Sequence, residues 1–168
     1  TIYPWAKSIP KDVWLDYVLP YANVNEPRVD WRQLFASKLG PLVKNHTFEA
    51  VNITQVIQIL NDNMWSLLRP NGEIHFKGDQ TPLIYDPMSV ITYGFASCTG
   101  VSIMFVDALR SVGVPARLVG TPAWHGKVED GNHNWVEIWL GSGEGLHGEP
   151  WTFIESKPAG PGETLTNP

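Results

Sequence analysis

The spacing of hydrophobic residues changes at Pro115. Before this residue, apolar side chains recur every three or four positions, which is typical of amphipathic helices; after it, apolar and polar residues alternate, which is typical of strands. Predicted helices cover residues 11–19, 31–39, 47–68 and 98–112, and predicted strands cover residues 74–77, 116–121, 133–140 and 151–155. The pattern therefore predicts an α+β fold with N-terminal helices first and then an antiparallel sheet, against which the last helix packs.

The last predicted helix has the clearest boundaries. Ser97 is a suitable N-cap, and Gly113 and Pro115 predict where the helix ends. One continuous apolar face runs along it, formed by Val101, Met104, Phe105, Ala108, Leu109 and Val112. Cys98, the only cysteine of the chain, lies in the first turn. There the positive end of the helix dipole would stabilise a thiolate and lower the thiol pKa from about 8.5.

Composition excludes several classes of function. The chain has 168 residues, of which 43% are apolar and 17% charged, so one domain with a hydrophobic core is expected. A net charge of -5 gives no attraction to nucleic acid, and no apolar run approaches the roughly 20 residues that cross a bilayer. Neither nucleic acid nor a membrane is therefore expected as a partner. Glycosylation sequons at Asn45 and Asn52 predict an extracytoplasmic or secreted protein, and the start at Thr1 is compatible with a larger multidomain chain.

The position of Cys98 predicts nucleophilic chemistry. A thiol needs a base that takes its proton and a third group that orients the base. His133 at the start of one predicted strand and Glu155 at the end of the next supply these parts in the right order. The main-chain N–H of Cys98 would donate a hydrogen bond to the oxyanion that forms. Four other histidines are expected at the surface or in loops: His46, His75, His125 and His147.

Four segments around these residues resemble the core of the transglutaminase-like superfamily. They are Ala96-Ser-Cys98-Thr-Gly100, residues 107–117 ending in GVPAR, residues 131–139 containing HNWVE, and residues 151–155. The resemblance covers residues 94–155 and implies a papain-like fold with a Cys-His-Asp triad. It implies a single transglutaminase-like domain, with a family-specific helical lobe at residues 1–79, a catalytic core at 80–155 and a tail or linker at 156–168.

The chain departs from the family pattern at the third triad position, where Glu155 stands in place of the usual Asp. Glutamate is one methylene longer than aspartate, so its carboxylate can contact His133 in the usual way only if the backbone lies further from the imidazole. Asn132 and Asn134 are alternatives for this orienting role. Glu137 is instead expected to pair with a neighbouring-strand arginine, Arg117.

The second donor to the oxyanion is open to three interpretations. A papain-like layout implies a glutamine upstream of the nucleophile, which Gln80 matches. Trp65 and Trp124 are alternatives, because an indole N–H can donate the same hydrogen bond. These tryptophans would otherwise only line the cleft.

These observations predict a cysteine-dependent enzyme that attacks a carboxamide or peptide bond through a thioester, with a peptide or protein substrate and no cofactor. Hydrolysis is favoured over amine transfer, because the sequence lacks the additional domains and calcium loops of the large cross-linking enzymes. The alternative is a catalytically inactive module of the same family that binds peptide or glycan, which the loss of the family Asp favours. No metal site is expected, because one Cys and scattered His lack the paired spacing of zinc ligands.

Overall fold

The computed structural model describes residues 3–45, 52–79, 83–141, 143 and 148–159. Within this part of the chain the α-helices are α1 Lys11–Tyr17, α2 Arg32–Asn45, α3 Ile53–Leu67, α4 Pro87–Tyr93 and α5 Cys98–Ser111. The strands are β1 His75–Phe76, β2 Phe95–Ala96, β3 Ala116–Thr121, β4 His133–Trp139 and β5 Trp151–Ile154. The mixed helix and sheet architecture that the hydrophobic pattern predicts is confirmed.

Helix α5 is the centre of the structure. The sequence predicts one apolar face, but every residue from Gly100 to Arg110 is buried. Helices α2, α3 and α4 pack on one part of its surface, and strands β3 and β4 pack on another. Because no side of α5 faces solvent, its polar side chains need partners inside the protein. Ser102 Oγ, for example, donates to the carbonyl of Asn134 at 3.1 Å.

The main sheet is an antiparallel meander in the order β3–β4–β5. Val136 of β4 lies opposite Leu118 of β3 and Ile154 of β5. Alternate residues of β4 face opposite sides, with Val136 and Ile138 buried against α5. The predicted pairing of Arg117 with Glu137 across β3 and β4 is confirmed, at 2.6 Å between Nη2 and Oε2.

A second, two-stranded sheet lies just before α5. Strands β1 and β2 pair in parallel, with Phe76 opposite Ala96. Strand β2 and helix α4 were not predicted, because each is too short to show a period. Asp86 caps α4 by accepting from the Ser89 N–H at 3.0 Å, and Gly94 ends the helix with a φ of 81°. These short elements lead the chain directly into Cys98.

The predicted end of the second helix at Gly40-Pro41 is wrong, since α2 continues to Asn45. Leu39 and Val43 are both fully buried, so the continuation extends the apolar face that packs on the core. Pro41 lies on the exposed side, where the helical hydrogen bond that it removes can be replaced by water. Tertiary packing therefore outweighs the local stop signal.

The predicted third helix begins later than Thr47, at Ile53. Asn52 has an extended backbone and closes a capping box with Gln55, in which each side chain accepts from the main-chain N–H of the other residue. Residues 46–51, which include part of the first sequon and His46, lie outside the described residues, as do Gln80, His147 and the end of the predicted tail. None of the helices in the described segments has the length and apolar character needed to cross a membrane.

Gly100 provides a test of how closely α5 packs. A Cβ built on Gly100 would clash with the main-chain oxygen of Ile84 and would lie 2.6 Å from Ala96 Cβ. We expect Gly100→Ala to destabilise the protein by about 1–3 kcal/mol, because overpacking outweighs the better helix propensity of alanine. Thermal unfolding followed by circular dichroism measures this. Gly78→Ala is the control, since its Cβ would meet only the Phe76 ring, at ordinary distances of 3.6 and 3.7 Å. An unchanged midpoint for Gly100→Ala would contradict the packing described here.

Candidate active site

Cys98 is the first residue of α5, at the edge of an open cleft. Ser97 occupies the N-cap position, as predicted, but its side chain makes no capping hydrogen bond. The main-chain N–H groups of the first helical turn are therefore available to a ligand in the cleft, and the helix dipole favours negative charge there. Both effects favour a thiolate at Cys98 and an oxyanion beside it.

His133 and Glu155 meet beside this cysteine. His133 is the first residue of β4, and Glu155 directly follows the last residue of β5. His133 Nε2 lies 2.6 Å from Glu155 Oε2, and the two side chains are 14% and 1% exposed, respectively. The ring also forms a hydrogen bond with Cys98. Because Nε2 faces the carboxylate, this second contact is made by Nδ1.

The backbone that carries Glu155 is held by a side chain from the N-terminal helix α3. Glu155 Oε1 accepts from the Ser156 N–H at 3.2 Å. Asn61 of α3 donates its amide to the Glu155 carbonyl at 2.8 Å and accepts from the Lys157 N–H at 3.0 Å. Asn61 is 2% exposed, so α3 fixes the backbone from the Glu155 carbonyl to the Lys157 N–H. The sequence analysis missed Asn61; a polar residue on the apolar face of a helix was the only signal.

Trp124 covers the exposed side of the imidazole. Its ring lies 4.2 Å from the His133 ring, at an interplanar angle of 50°. The loop that carries Trp124 is closed by a hydrogen bond from its N–H to the Gly131 carbonyl at 2.8 Å and by a hydrogen-bond contact between His125 Nδ1 and Asp130 Oδ2 at 3.1 Å. Trp124 therefore lines the cleft and restricts the orientation of His133.

The electrostatics of the site favour a charged pair of Cys98 and His133. Burial raises the pKa of the Cys98 thiol, but hydrogen bonds from His133 and Asn134 and the charge of His133 outweigh burial, so the pKa falls below its usual value. Burial lowers the pKa of His133, but the hydrogen bonds and charges of Cys98 and Glu155 raise it to about 9. Between these two pKa values, the thiolate and the imidazolium coexist.

The cleft beside Cys98 has a volume of about 430 Å³. Its lining consists of Phe76, Gly78, Asp79, Leu83, Tyr85, Ser97, Cys98, Thr99, Trp124, Asp130, Asn132 and His133. Phe76 and Leu83 are 42% and 60% exposed, so apolar surface lies at the rim. Such a mixture of exposed apolar side chains and a few polar groups is typical of a ligand site.

The other predicted site residues were candidates for the oxyanion donor or for the group that orients His133, and they lie in different surroundings. Trp65 is only 1% exposed and donates its indole N–H to the Asn61 carbonyl at 2.7 Å, so it cannot serve as an oxyanion donor. Asn132 lines the cleft, and Asn134 contacts Cys98 and Thr99, so neither takes the orienting position that Glu155 occupies. Gln80 lies outside the described residues. In the described part of the chain, no group of His, Cys, Asp or Glu side chains could hold a metal ion.

The sequence profile of the transglutaminase-like superfamily matches residues 45–155, which is more than half of the chain. The chain belongs to the transglutaminase-like superfamily. The family match includes Cys98, His133 and Glu155 and extends through α3, which holds Glu155 in place. No match was found among curated proteins.

Solved structures share this transglutaminase-like fold at low sequence identity. One, from Cytophaga hutchinsonii, is named provisionally as a cysteine protease; it is 15% identical, with a TM-score of 0.60, and the alignment covers 95% of this chain and 46% of that one. The periplasmic domain of TgpA from Pseudomonas aeruginosa is 17% identical, with a TM-score of 0.52 and coverages of 89% and 48%. Red sea bream transglutaminase is 12% identical, with a TM-score of 0.53 and coverages of 90% and 32%. The chain thus spans less than half of each of these structures.

The transglutaminase-like site predicts an acidic thiol at Cys98. We expect the rate of alkylation by iodoacetamide to rise with pH at a pKa below the usual value of about 8.5, and His133→Ala to move this pKa upward because the hydrogen bond and positive charge are lost. Mass spectrometry measures the reaction without ambiguity, since the chain has one cysteine. His75→Ala is the control, because His75 is exposed and does not line the cleft. Identical alkylation profiles for wild type and His133→Ala would show that the imidazole does not act on the thiol.

Proposed function

We propose that this chain is a cysteine-dependent acyl-transfer enzyme that attacks peptide or carboxamide carbonyls, with Cys98 as nucleophile, His133 as base and then acid, and Glu155 as the orienting group. The observation that carries the proposal is the continuous contact from Glu155 through His133 to Cys98 at the edge of a cleft. Membership of the transglutaminase-like superfamily supports it. A nucleophile, an adjacent base and a group that orients the base are the parts that covalent catalysis requires.

The first half of the reaction forms a thioester. The Cys98 sulfur attacks the carbonyl carbon, and the carbonyl electron pair moves to oxygen, which accepts a hydrogen bond from the main-chain N–H of Cys98. The C–N bond of the substrate then breaks, and protonated His133 gives its Nδ1 proton to the leaving amine or ammonia. Glu155 keeps the ring oriented throughout because its carboxylate holds Nε2.

The second half returns the enzyme to its starting state. His133 takes a proton from water or from an incoming amine, whose lone pair attacks the thioester carbon. The C–S bond breaks, and the sulfur leaves as a thiolate. We favour water as the acceptor, because Phe76, Leu83 and Asp79 at the cleft rim are exposed and water reaches this region freely.

A peptide or protein segment is the proposed substrate. Exposed Phe76 and Leu83 offer an apolar surface beside Cys98, while Asp79 and Asp130 give the cleft negative charge. This combination suits a neutral or basic peptide with apolar side chains and disfavours an acidic one. A location outside the cytoplasm stays a prediction that rests on the two sequons.

The alternative of an inactive binding module is not favoured. It rested on the absence of the family Asp, but Glu155 supplies a carboxylate 2.6 Å from His133 Nε2. The carboxylate that such a module would lack is therefore present in the site.

The fate of the acyl group can be read from product masses. The protein is incubated with an unfolded protein substrate and a fluorescent primary amine in water enriched with oxygen-18. We expect Cys98-dependent products that carry oxygen-18 in a new carboxyl group, because water resolves the thioester. Cys98→Ala is the control and should give neither product. Products that carry mainly the amine would contradict the preference for hydrolysis, and no Cys98-dependent product would contradict the enzyme proposal.

The pH dependence of the acylation rate tests the roles of His133 and Glu155. We expect kcat/KM to rise as the thiolate forms and to fall near pH 9, where His133 loses its proton. Glu155→Gln removes the charge that helps to hold the His133 pKa high, so the alkaline limb should move to lower pH and the maximum should fall on the order of 100-fold. Glu137→Gln is the control, because Glu137 pairs with Arg117. An alkaline limb that does not move in Glu155→Gln would exclude Glu155 from the orienting role.

A further inference from the structure

One residue in contact with the Cys98 sulfur has no part in the triad. Asn134 follows His133 in β4, yet its side chain lies on the inner side of the strand with Val136 and Ile138, toward α5. His133 lines the cleft together with Cys98, whereas Asn134 is not among the lining residues. Two consecutive residues of one strand therefore interact with the same cysteine.

Asn134 directs two donors toward Cys98. Its Nδ2 lies 3.9 Å from Cys98 Sγ, and its main-chain N–H also forms a hydrogen bond with this cysteine. The same Nδ2 donates to Thr99 Oγ1 at 2.9 Å. Because this short bond orients the amide, the remaining N–H of Nδ2 points toward the sulfur.

The neighbouring strand leaves room for this arrangement. Gly120 of β3 is the cross-strand partner of Asn134. A Cβ at Gly120 would clash with Asn134 Oδ1 and would lie 3.1 Å from the His133 carbonyl oxygen. The Asn134 carbonyl is itself held by Ser102 Oγ of α5 at 3.1 Å. Gly120 and Thr99 thus define the space and the partner of the Asn134 side-chain amide, and Ser102 holds the main chain of Asn134.

We propose that Asn134 is a thiolate-stabilising residue, which donates side-chain and main-chain hydrogen bonds to Cys98 Sγ in addition to the contact with His133. The inference rests on the proposed function, in which the Cys98 thiolate is the attacking group. A sulfur anion in a half-buried site has few water molecules around it, so each protein donor replaces lost solvation. The Asn134 side chain also carries no charge, so it stabilises the thiolate without competing with Glu155 for the imidazolium.

The test compares Asn134→Ala, Asn134→Asp and the control Asn132→Ala, which alters an exposed asparagine of the same cleft. Asn134→Ala removes one donor, and Asn134→Asp adds a negative charge beside the sulfur. We expect the alkylation rate of Cys98 at pH 6.5 to fall about 3- to 10-fold in Asn134→Ala and further in Asn134→Asp, with wild-type rates recovered in Asn134→Ala at high pH, because one pKa unit changes the thiolate fraction tenfold. Asn132→Ala should behave as wild type.

Alkylation needs no substrate, so the result is independent of the proposed function. Suppose that the alkylation rate at pH 6.5 falls in Asn134→Ala and further in Asn134→Asp, while no Cys98-dependent product forms with any substrate. In that case the enzyme proposal fails and the role of Asn134 stands. If Asn134→Ala and Asn134→Asp both follow the wild-type alkylation profile, the role of Asn134 is overturned. Should Asn134→Ala fail to fold, Thr99→Val is the deciding variant, because it removes the acceptor that orients the Asn134 amide. We expect a smaller decrease in the alkylation rate of Cys98 at pH 6.5. An unchanged rate would overturn the proposal.

Discussion

The burial of α5 on every side is the constraint on which the site depends. Helices hold it from one direction and the sheet from another, so its N-terminus has one position relative to the start of β4. A thiol at the tip of an exposed helix would sample many distances from an imidazole on a separate strand. Here the sulfur and the ring are parts of one packed core, and their contact needs little further ordering.

The N-terminal helices contribute to the site as well as to the core. Asn61 of α3 hydrogen-bonds to the Glu155 carbonyl and the Lys157 N–H, and Trp65 on the same helix donates to the Asn61 carbonyl. Helix α3 therefore helps to position Glu155, and Glu155 in turn positions His133. In this chain, helices outside the segment that carries Cys98, His133 and Glu155 thus take part in positioning the site.

A glutamate can occupy the position where the transglutaminase-like family usually has aspartate, because the contact with His133 depends on where the carboxylate oxygens lie. Glu155 follows the end of β5, and its longer side chain still places Oε2 2.6 Å from His133 Nε2. With 1% of its side chain exposed, it meets the imidazolium in a region of low solvent screening, where the attraction between opposite charges is strong. The Trp124 ring packs against the same imidazole, with its centroid 4.2 Å from that of His133.

The sequence alone determined the elements that carry the chemistry, since long periodic segments report their own secondary structure. The helical repeat after Cys98, its stop at Gly113 and the alternation in β4 were all readable, because each depends on neighbours within a few positions. The tertiary structure decided what depends on distant partners. Helix α2 continues past Pro41 because the burial of Val43 stabilises the additional turn. The packing of distant elements also brings Asn61, Glu155 and His133 together. The tertiary structure also turned Asn134, which the sequence offered as an alternative orienting group for His133, toward the sulfur of Cys98, because that contact requires the packing of α5 against the sheet.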